Sequence, residues 1–187
     1  MNLYMMKFSI LLSVVVILVF SYVMMVYVKI SSAHPAMVVY IAAHSNYNYS
    51  DSRILPLPFR REIARYEFRK RSIEELRETN AFDLNVYAVL AMKRIDRETS
   101  YVVQKRLESI ADDFISKGLS LIEVDPYGCT ALKLAIINND YLSVRYLLSK
   151  GLKIEDKSDV NGDHPICSRS SQSLIKEYLP DFGNVSN

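Results

Sequence analysis

The sequence predicts an all-α fold: a short solenoid of about three stacked helix pairs, preceded by an N-terminal transmembrane or signal-anchor helix. Three observations lead to this prediction. The run Phe8–Val28 carries no charged residue. In the second half of the chain, apolar residues recur at the three- and four-residue spacing of helices. The stretches 115–121 and 148–154 are nearly the same, with Gly118 and Gly151 33 residues apart, and such a period is typical of stacked repeats.

Residues 1–29 are expected to form a membrane anchor. At about 1.5 Å per residue, the uncharged positions 8–28 span roughly 30 Å, the thickness of the hydrocarbon layer. A cleaved signal peptide is the alternative, because Lys7 precedes the run and Ser31-Ser32-Ala33 offers small residues for a cut. The run is longer than the usual apolar core of a signal peptide and is closed by Lys29, which favours an uncleaved anchor.

The orientation follows from the basic residues beside this run. Lys7 lies on the short side, whereas the long side carries Lys29 and then no Lys or Arg until Arg53. The positive-inside rule therefore leans slightly toward a cytoplasmic N-terminus and an exported body.

Composition excludes some classes of function. The chain has 23 Lys and Arg against 21 Asp and Glu, which argues against nucleic-acid binding driven by bulk charge. Basic residues do cluster over 60–71, but glutamates are interleaved with them, so we interpret this segment as an ion-paired helix face. The histidines His34, His44 and His164 are scattered, and no metal-binding or nucleophile motif is present. We predict a non-catalytic chain without metal or cofactor.

The rest of the chain divides into three segments. Residues 30–58 are expected to be a tether, within which Met37–Ala43 forms a short strand or helix. Residues 59–82 are a predicted N-terminal helical capping segment, in which Ser72-Ile73-Glu74-Glu75 is a capping box. Residues 83–187 are the predicted repeat domain.

The most diagnostic segment is Asp-Pro-Tyr-Gly-Cys-Thr-Ala-Leu-Lys-Leu-Ala at 125–135. Its glycine permits a tight turn and its threonine can cap the helix that follows. The segment resembles the ankyrin repeat, whose pattern is Asp-x-x-Gly-x-Thr-Pro-Leu-His-x-Ala, followed by a Val-x-x-Leu-Leu helix and a glycine. Ala131 and Lys133 depart from that pattern, and the matching positions are Gly128, Thr130, Leu132, Ala135, Val144, Leu147, Leu148 and Gly151.

Two weaker units flank this one. Residues 161–166 repeat the turn 34 residues after Gly128, and 174–179 supply a second helix for a shortened terminal unit. Upstream, Gly118 closes a pair of longer helices. The ankyrin-like array is therefore predicted to hold about three pairs.

The resemblance implies a protein-binding surface, because ankyrin repeats present their turn tips and the first helix of each pair. Tyr127 and Tyr141 either contact a partner or pack on an adjacent repeat. The candidate contact positions are Tyr127, Lys133, Asn138, Asn139, Asp140, Tyr141, Asp163, His164 and Arg169.

The chain resembles small bacterial ankyrin-repeat proteins with an anchor or export segment. Such proteins are similar to immunity proteins that neutralise toxic effectors, including lipases delivered by type VI secretion. This implies a single-pass protein of the bacterial inner membrane, with its repeat domain in the periplasm. The alternative is a structural or accessory subunit of a membrane or periplasmic complex, for example a helper to an oxidative-stress enzyme.

Cys129 and Cys167 are the two cysteines of the chain. Export would permit a disulfide, and their spacing matches no zinc site. The repeat register places them in neighbouring units, and we expect them to lie outside bridging distance.

Overall fold

The computed structural model describes residues 3–44, 60–78, 85–94, 101–155 and 164–185. Every regular element in those ranges is helical, which confirms the predicted all-α class. An isolated antiparallel bridge joins Val124 to Thr130. The α-helices are α1 Leu3–Ser31, α2 Pro35–Ala43, α3 Arg60–Lys70, α4 Ile73–Glu78, α5 Val86–Leu90, α6 Tyr101–Ser116, α7 Ala131–Ile137, α8 Tyr141–Ser149 and α9 Ser171–Tyr178, with 3-10 turns at Ala91–Arg94 and Pro180–Val185.

The chain forms two compact units, Met1–Phe68 and Arg69–Asn187. In the first unit, α1 is the predicted N-terminal apolar helix. Its segment Lys7–Ser31 is long and apolar enough to cross a membrane, a criterion of length and composition that a signal sequence also meets. The apolar side chains along its middle are exposed.

The second helix of this unit lies inside the segment predicted to be a tether. Helix α2 has Pro35 at its first position, where the fixed φ of proline suits a helix start. Its Val38, Val39 and Ala43 are fully buried, so Met37–Ala43 is a packed helix and not a strand. Residues 45–58 of the tether lie outside the described ranges.

The predicted capping box is present at the start of α4. The Ser72 amide donates to Glu75 Oε2 at 2.9 Å, and the Glu75 amide donates to Ser72 Oγ at 3.2 Å. Within the described part of the second unit, side chains cap further helices: Asn85 caps α5, Thr130 caps α7, Asp140 caps α8 and Ser170 caps α9. Helix α5 therefore begins at Val86, and after Leu90 it continues as the 3-10 turn Ala91–Arg94.

In the second unit, α5 contacts both α6 and α7, and α7 contacts both α8 and α9. The apolar faces of these helices meet in a core whose largest fully buried side chains include Leu90, Leu107, Phe114, Ile136, Leu147 and Leu174. Helices α7 and α8 correspond to the predicted middle pair.

The two similar stretches seen in the sequence have the same backbone structure. Gly118 ends α6 with φ 99° and Gly151 ends α8 with φ 96°. In each case the glycine amide bonds three residues back and the next amide bonds five residues back, the pattern of a Schellman motif. Asn139, with φ 52°, ends α7 in the same way. The repetition predicted from Lys-Gly-Leu is therefore a repeated helix stop.

The terminal unit departs from a helix pair. Residues 164–169 form turns and bends before α9 begins. Cys129 and Cys167 are joined in a disulfide, with their Cα atoms 4.8 Å apart, so the expectation that they lie too far apart was wrong. The turn brings its backbone next to the preceding unit, and the His164 amide donates to the Tyr127 carbonyl at 3.4 Å.

Candidate partner-binding surface

The strongest candidate surface is the segment 122–130 between α6 and α7, here called the turn tip. Asp125 organises its backbone: Oδ1 accepts from the amides of Tyr127 at 3.0 Å and Cys129 at 2.7 Å. The Asp125 amide donates to the Cys129 carbonyl at 2.9 Å. That carbonyl also accepts from Asn85 Nδ2 at 3.1 Å. The tip is therefore held to α5 as well as closed on itself.

Three large apolar side chains on the turn tip are exposed. Ile122 is 72%, Tyr127 64% and Val124 38% exposed. A firmly bonded backbone carrying exposed apolar side chains is the arrangement of an interface anchor, because little conformational entropy is lost when a partner covers it. Tyr127 was among the predicted contacts. Ile122 and Val124 were missed, although the alternation Ile-Glu-Val-Asp is typical of a half-exposed extended segment.

A second tip lies beside the first. His164 is exposed, and its ring meets the ring of Tyr127 edge-on with centroids 6.5 Å apart. The structure thus brings together Tyr127 and His164, which are 37 positions apart in the sequence. Asp163, the neighbouring candidate, lies outside the described residues.

Arg169 lies at the end of the terminal turn, two residues before α9 begins. Its Nη2 atom pairs with Glu177 Oε2 at 2.6 Å and bonds Ser173 Oγ at 3.0 Å. The bond from Arg169 holds the pKa of the Glu177 carboxyl below its ordinary value. Arg169 therefore has an intramolecular partner and would have to exchange it to contact another protein.

Two predicted contact residues are buried, so their assignment to the surface was wrong. Lys133 is 4% exposed, and its Nζ donates to the Cys167 carbonyl at 2.8 Å. Asp140 is 5% exposed and caps α8 by accepting from the Ser143 amide at 3.2 Å. Position 133 faces the terminal unit across the α7–α9 contact, and position 140 is turned inward by its capping role.

The remaining candidates lie at the turn between α7 and α8. Asn139 is exposed, whereas Asn138 bonds the Leu134 carbonyl through Nδ2 at 2.9 Å. Tyr141 is half-buried against Phe182, with ring centroids 5.1 Å apart. Both tyrosines were expected either to contact a partner or to pack on an adjacent unit. The structure favours packing for Tyr141 and exposure for Tyr127.

A buried polar cluster places a lysine beside a serine. Lys93 Nζ lies 3.1 Å from Ser143 Oγ, 2.5 Å from Asp140 Oδ1 and 2.7 Å from Gln104 Oε1. Such a pair can activate a nucleophile when a substrate can reach it. Ser143 is fully buried and its hydroxyl also bonds Asp140, so this cluster serves to join α6, α8 and the turn after α5.

The adjacent carboxylates Asp112 and Asp113 also have structural partners. Tyr146 donates its hydroxyl to Asp112 Oδ1 at 2.6 Å, and Lys150 Nζ pairs with the same oxygen at 2.6 Å. Burial is the main cause that raises the pKa of Tyr146 well above its ordinary value, and the hydrogen bond to Asp112 raises it further. Asp113 pairs with Arg69 at 3.2 Å. Both carboxylates are therefore engaged in ion pairs of the second unit.

Within the described ranges, no group of three or more His, Cys, Asp or Glu side chains is placed to hold a metal ion. Comparisons with protein-family models, with curated proteins and with solved structures find no match to this chain.

Proposed function

We propose that this chain is a non-catalytic protein-binding module tethered to a membrane, and that it captures its partner with the turn tip and the adjoining His164. The observation that carries the proposal is the exposure of Ile122, Val124 and Tyr127 on a backbone fixed by Asp125 and bounded by the Cys129–Cys167 disulfide. Exposed apolar side chains on a rigid turn are typical of binding anchors.

The disulfide supports an exported location for the second unit. Disulfides persist in oxidising compartments such as the bacterial periplasm and are rare in the cytosol. Together with the apolar helix α1, this favours a single-pass protein of the bacterial inner membrane whose ankyrin-like domain lies in the periplasm.

Within this class, we propose an immunity protein that neutralises a toxic effector. Two things support this proposal. The chain combines a membrane-anchor helix with one small repeat domain that carries a compact apolar tip, and the segment 125–135 holds the ankyrin-like motif. Such a protein acts by occupying the effector's surface, so it needs a well-ordered binding surface and no catalytic group of its own.

The test is capture with the full chain, solubilised in detergent, from the native organism. Wild type is compared with Ile122→Ser/Tyr127→Ser and with the matched control Tyr101→Ser/Val102→Ser, which alters two exposed apolar residues on α6. We expect one stoichiometric partner, retained by wild type and control and reduced at least tenfold by the tip variant. Equal recovery by all three would exclude the tip, and recovery of no partner would contradict the binding function.

The immunity proposal is tested with the captured protein itself. Exporting it into cells that lack this chain should arrest growth, and wild type should restore growth while the tip variant should not. A captured enzyme whose activity rises on binding would instead support an accessory subunit.

A further inference from the structure

We infer that the Cys129–Cys167 disulfide is a conformational lock, which secures the terminal unit and the His164 tip only after the chain reaches an oxidising compartment. This inference goes beyond the proposed function and does not depend on the identity of any partner. Two features of the geometry point to it. The terminal unit has little regular structure of its own, and several of its bonds to the preceding unit lie close together at one turn.

The terminal unit lacks the first helix that an ankyrin-like pair would have. Between 164 and 170 the chain forms turns, and the regular structure that follows is α9, of eight residues, with a 3-10 turn after it. A helix this short is not stable alone in water, so its order depends on tertiary contacts. The packing of α7 against α9 supplies one of them.

Two further attachments meet at Cys167. Cys167 bears the disulfide to Cys129 and also offers its carbonyl to the buried Lys133 Nζ at 2.8 Å. The backbone bond from His164 to Tyr127 lies three residues away. The disulfide and these two hydrogen bonds thus lie at the turn, whereas the segment that follows is held by the α7–α9 packing, by the bond from the Gln172 amide to the Glu155 carbonyl at 3.2 Å and by the Tyr141–Phe182 contact. Loss of the disulfide removes the covalent restraint on the terminal unit and leaves these weaker contacts to hold it.

The disulfide forms by thiol–disulfide exchange with an oxidant. Two Sγ–H bonds break and one Sγ–Sγ bond forms, while two electrons and two protons pass to a disulfide-type oxidant, which becomes a dithiol. Both sulfurs belong to buried residues, 1% and 2% exposed, so oxidation must accompany folding and reduction requires local opening. In a reducing cytosol the terminal unit would therefore remain unlocked.

The experiment is hydrogen exchange measured by mass spectrometry on the full chain in detergent. Wild type is measured oxidised and after dithiothreitol, alongside Cys129→Ala/Cys167→Ala without and with reductant. Peptides covering 170–179 report the terminal unit, and peptides covering 103–114 in α6 are the internal control. Peptide mapping without reductant checks the Cys129–Cys167 linkage directly.

We expect reduction to speed exchange in 170–179 at least tenfold in wild type and to leave 103–114 unchanged. The double variant should match reduced wild type and should not respond to dithiothreitol. Unchanged protection of 170–179 after reduction would overturn the inference. Equal loss of protection in both peptides would also overturn it, since the disulfide would then hold the whole unit together. Free thiols at Cys129 and Cys167 in the mapped protein would overturn it as well.

Discussion

Asp125 holds the turn tip together through one carboxylate oxygen. Because that oxygen accepts from two backbone amides, its removal leaves both donors without their partner and releases the segment that carries Tyr127. The residue thus links local backbone geometry to the proposed binding surface, although its own side chain contacts no partner in our proposal.

We predict that Asp125→Ala lowers the free energy of unfolding by about 2 kcal/mol, since each lost bond of this kind costs roughly 1 kcal/mol. Asp125→Asn keeps the accepting Oδ1 and should lose less than half of that. Urea denaturation of the full chain in detergent, followed by circular dichroism, measures both. Equal losses in the two variants would show that charge and not the acceptor atom matters.

Asp140 combines a helix cap with a buried ion pair. It accepts from the Ser143 amide and pairs with Lys93, whose side chain is 9% exposed. Removing it strips Lys93 of an opposite charge in a buried setting, which is far more costly than loss of a cap.

We therefore expect Asp140→Ala to destabilise the protein by about 3–5 kcal/mol, and Thr130→Ala, which removes a cap alone, by about 1 kcal/mol. The same denaturation measurement compares them. Similar costs for the two caps would mean that the Lys93–Asp140 pair contributes little.

At the scale of elements, the helix ends were more predictable than the helix contacts. Gly118 and Gly151 each follow a lysine, and the structure gives both the same positive-φ stop, because the signal for a Schellman motif is local. The Lys93–Asp140 pair and the Cys129–Cys167 disulfide join residues 47 and 38 positions apart. Nothing in the nearby sequence specifies such pairs, so they depend on tertiary packing. For the same reason the burial of Lys133 was not foreseen.

Tyr146 gives the α6–α8 contact a dependence on pH. Its raised pKa means that the folded protein keeps the phenol protonated where the unfolded chain, with a pKa of about 10, has lost the proton. The stabilisation is therefore complete below about pH 10 and falls as pH rises further.

We predict that the stability difference between wild type and Tyr146→Phe shrinks by about 1 kcal/mol between about pH 8 and about pH 11. Comparing the two proteins cancels most of the contribution from the other tyrosines. Unfolding free energies at several pH values provide the measurement. A difference that stays constant over this range would mean that the Tyr146–Asp112 bond does not couple to folding.

On the scale of the whole molecule, α1 is a helix long and apolar enough to span a membrane. Its uncharged run was evident in the sequence because length and hydropathy are sufficient to recognise such a helix. The choice between a retained anchor and a cleaved signal depends on processing, which a hydropathy pattern does not determine. The ankyrin-like array is a proposal of the same kind, drawn from one well-matched motif and two weaker neighbours.

For a retained anchor, we expect the full chain to resist carbonate extraction from membranes. Leu12→Arg/Val19→Arg should shift most of it to the soluble fraction, because each charge at the middle of a spanning helix costs about 2.5–3.5 kcal/mol. Leu12→Phe/Val19→Phe is the matched control and should stay in the membrane. An intact mass that lacks residues 1–31, with wild type in the soluble fraction, would indicate a cleaved signal instead.

The disulfide also changes how damage to this molecule would be seen. Cys129 and Cys167 enclose α7, α8 and the exposed Lys153 within one covalent ring. A protease that cuts the chain after Lys153 would leave two fragments joined through sulfur, which migrate as a single species until reductant is added. A nicked protein would thus pass as intact on a non-reducing gel, and its integrity has to be judged after reduction.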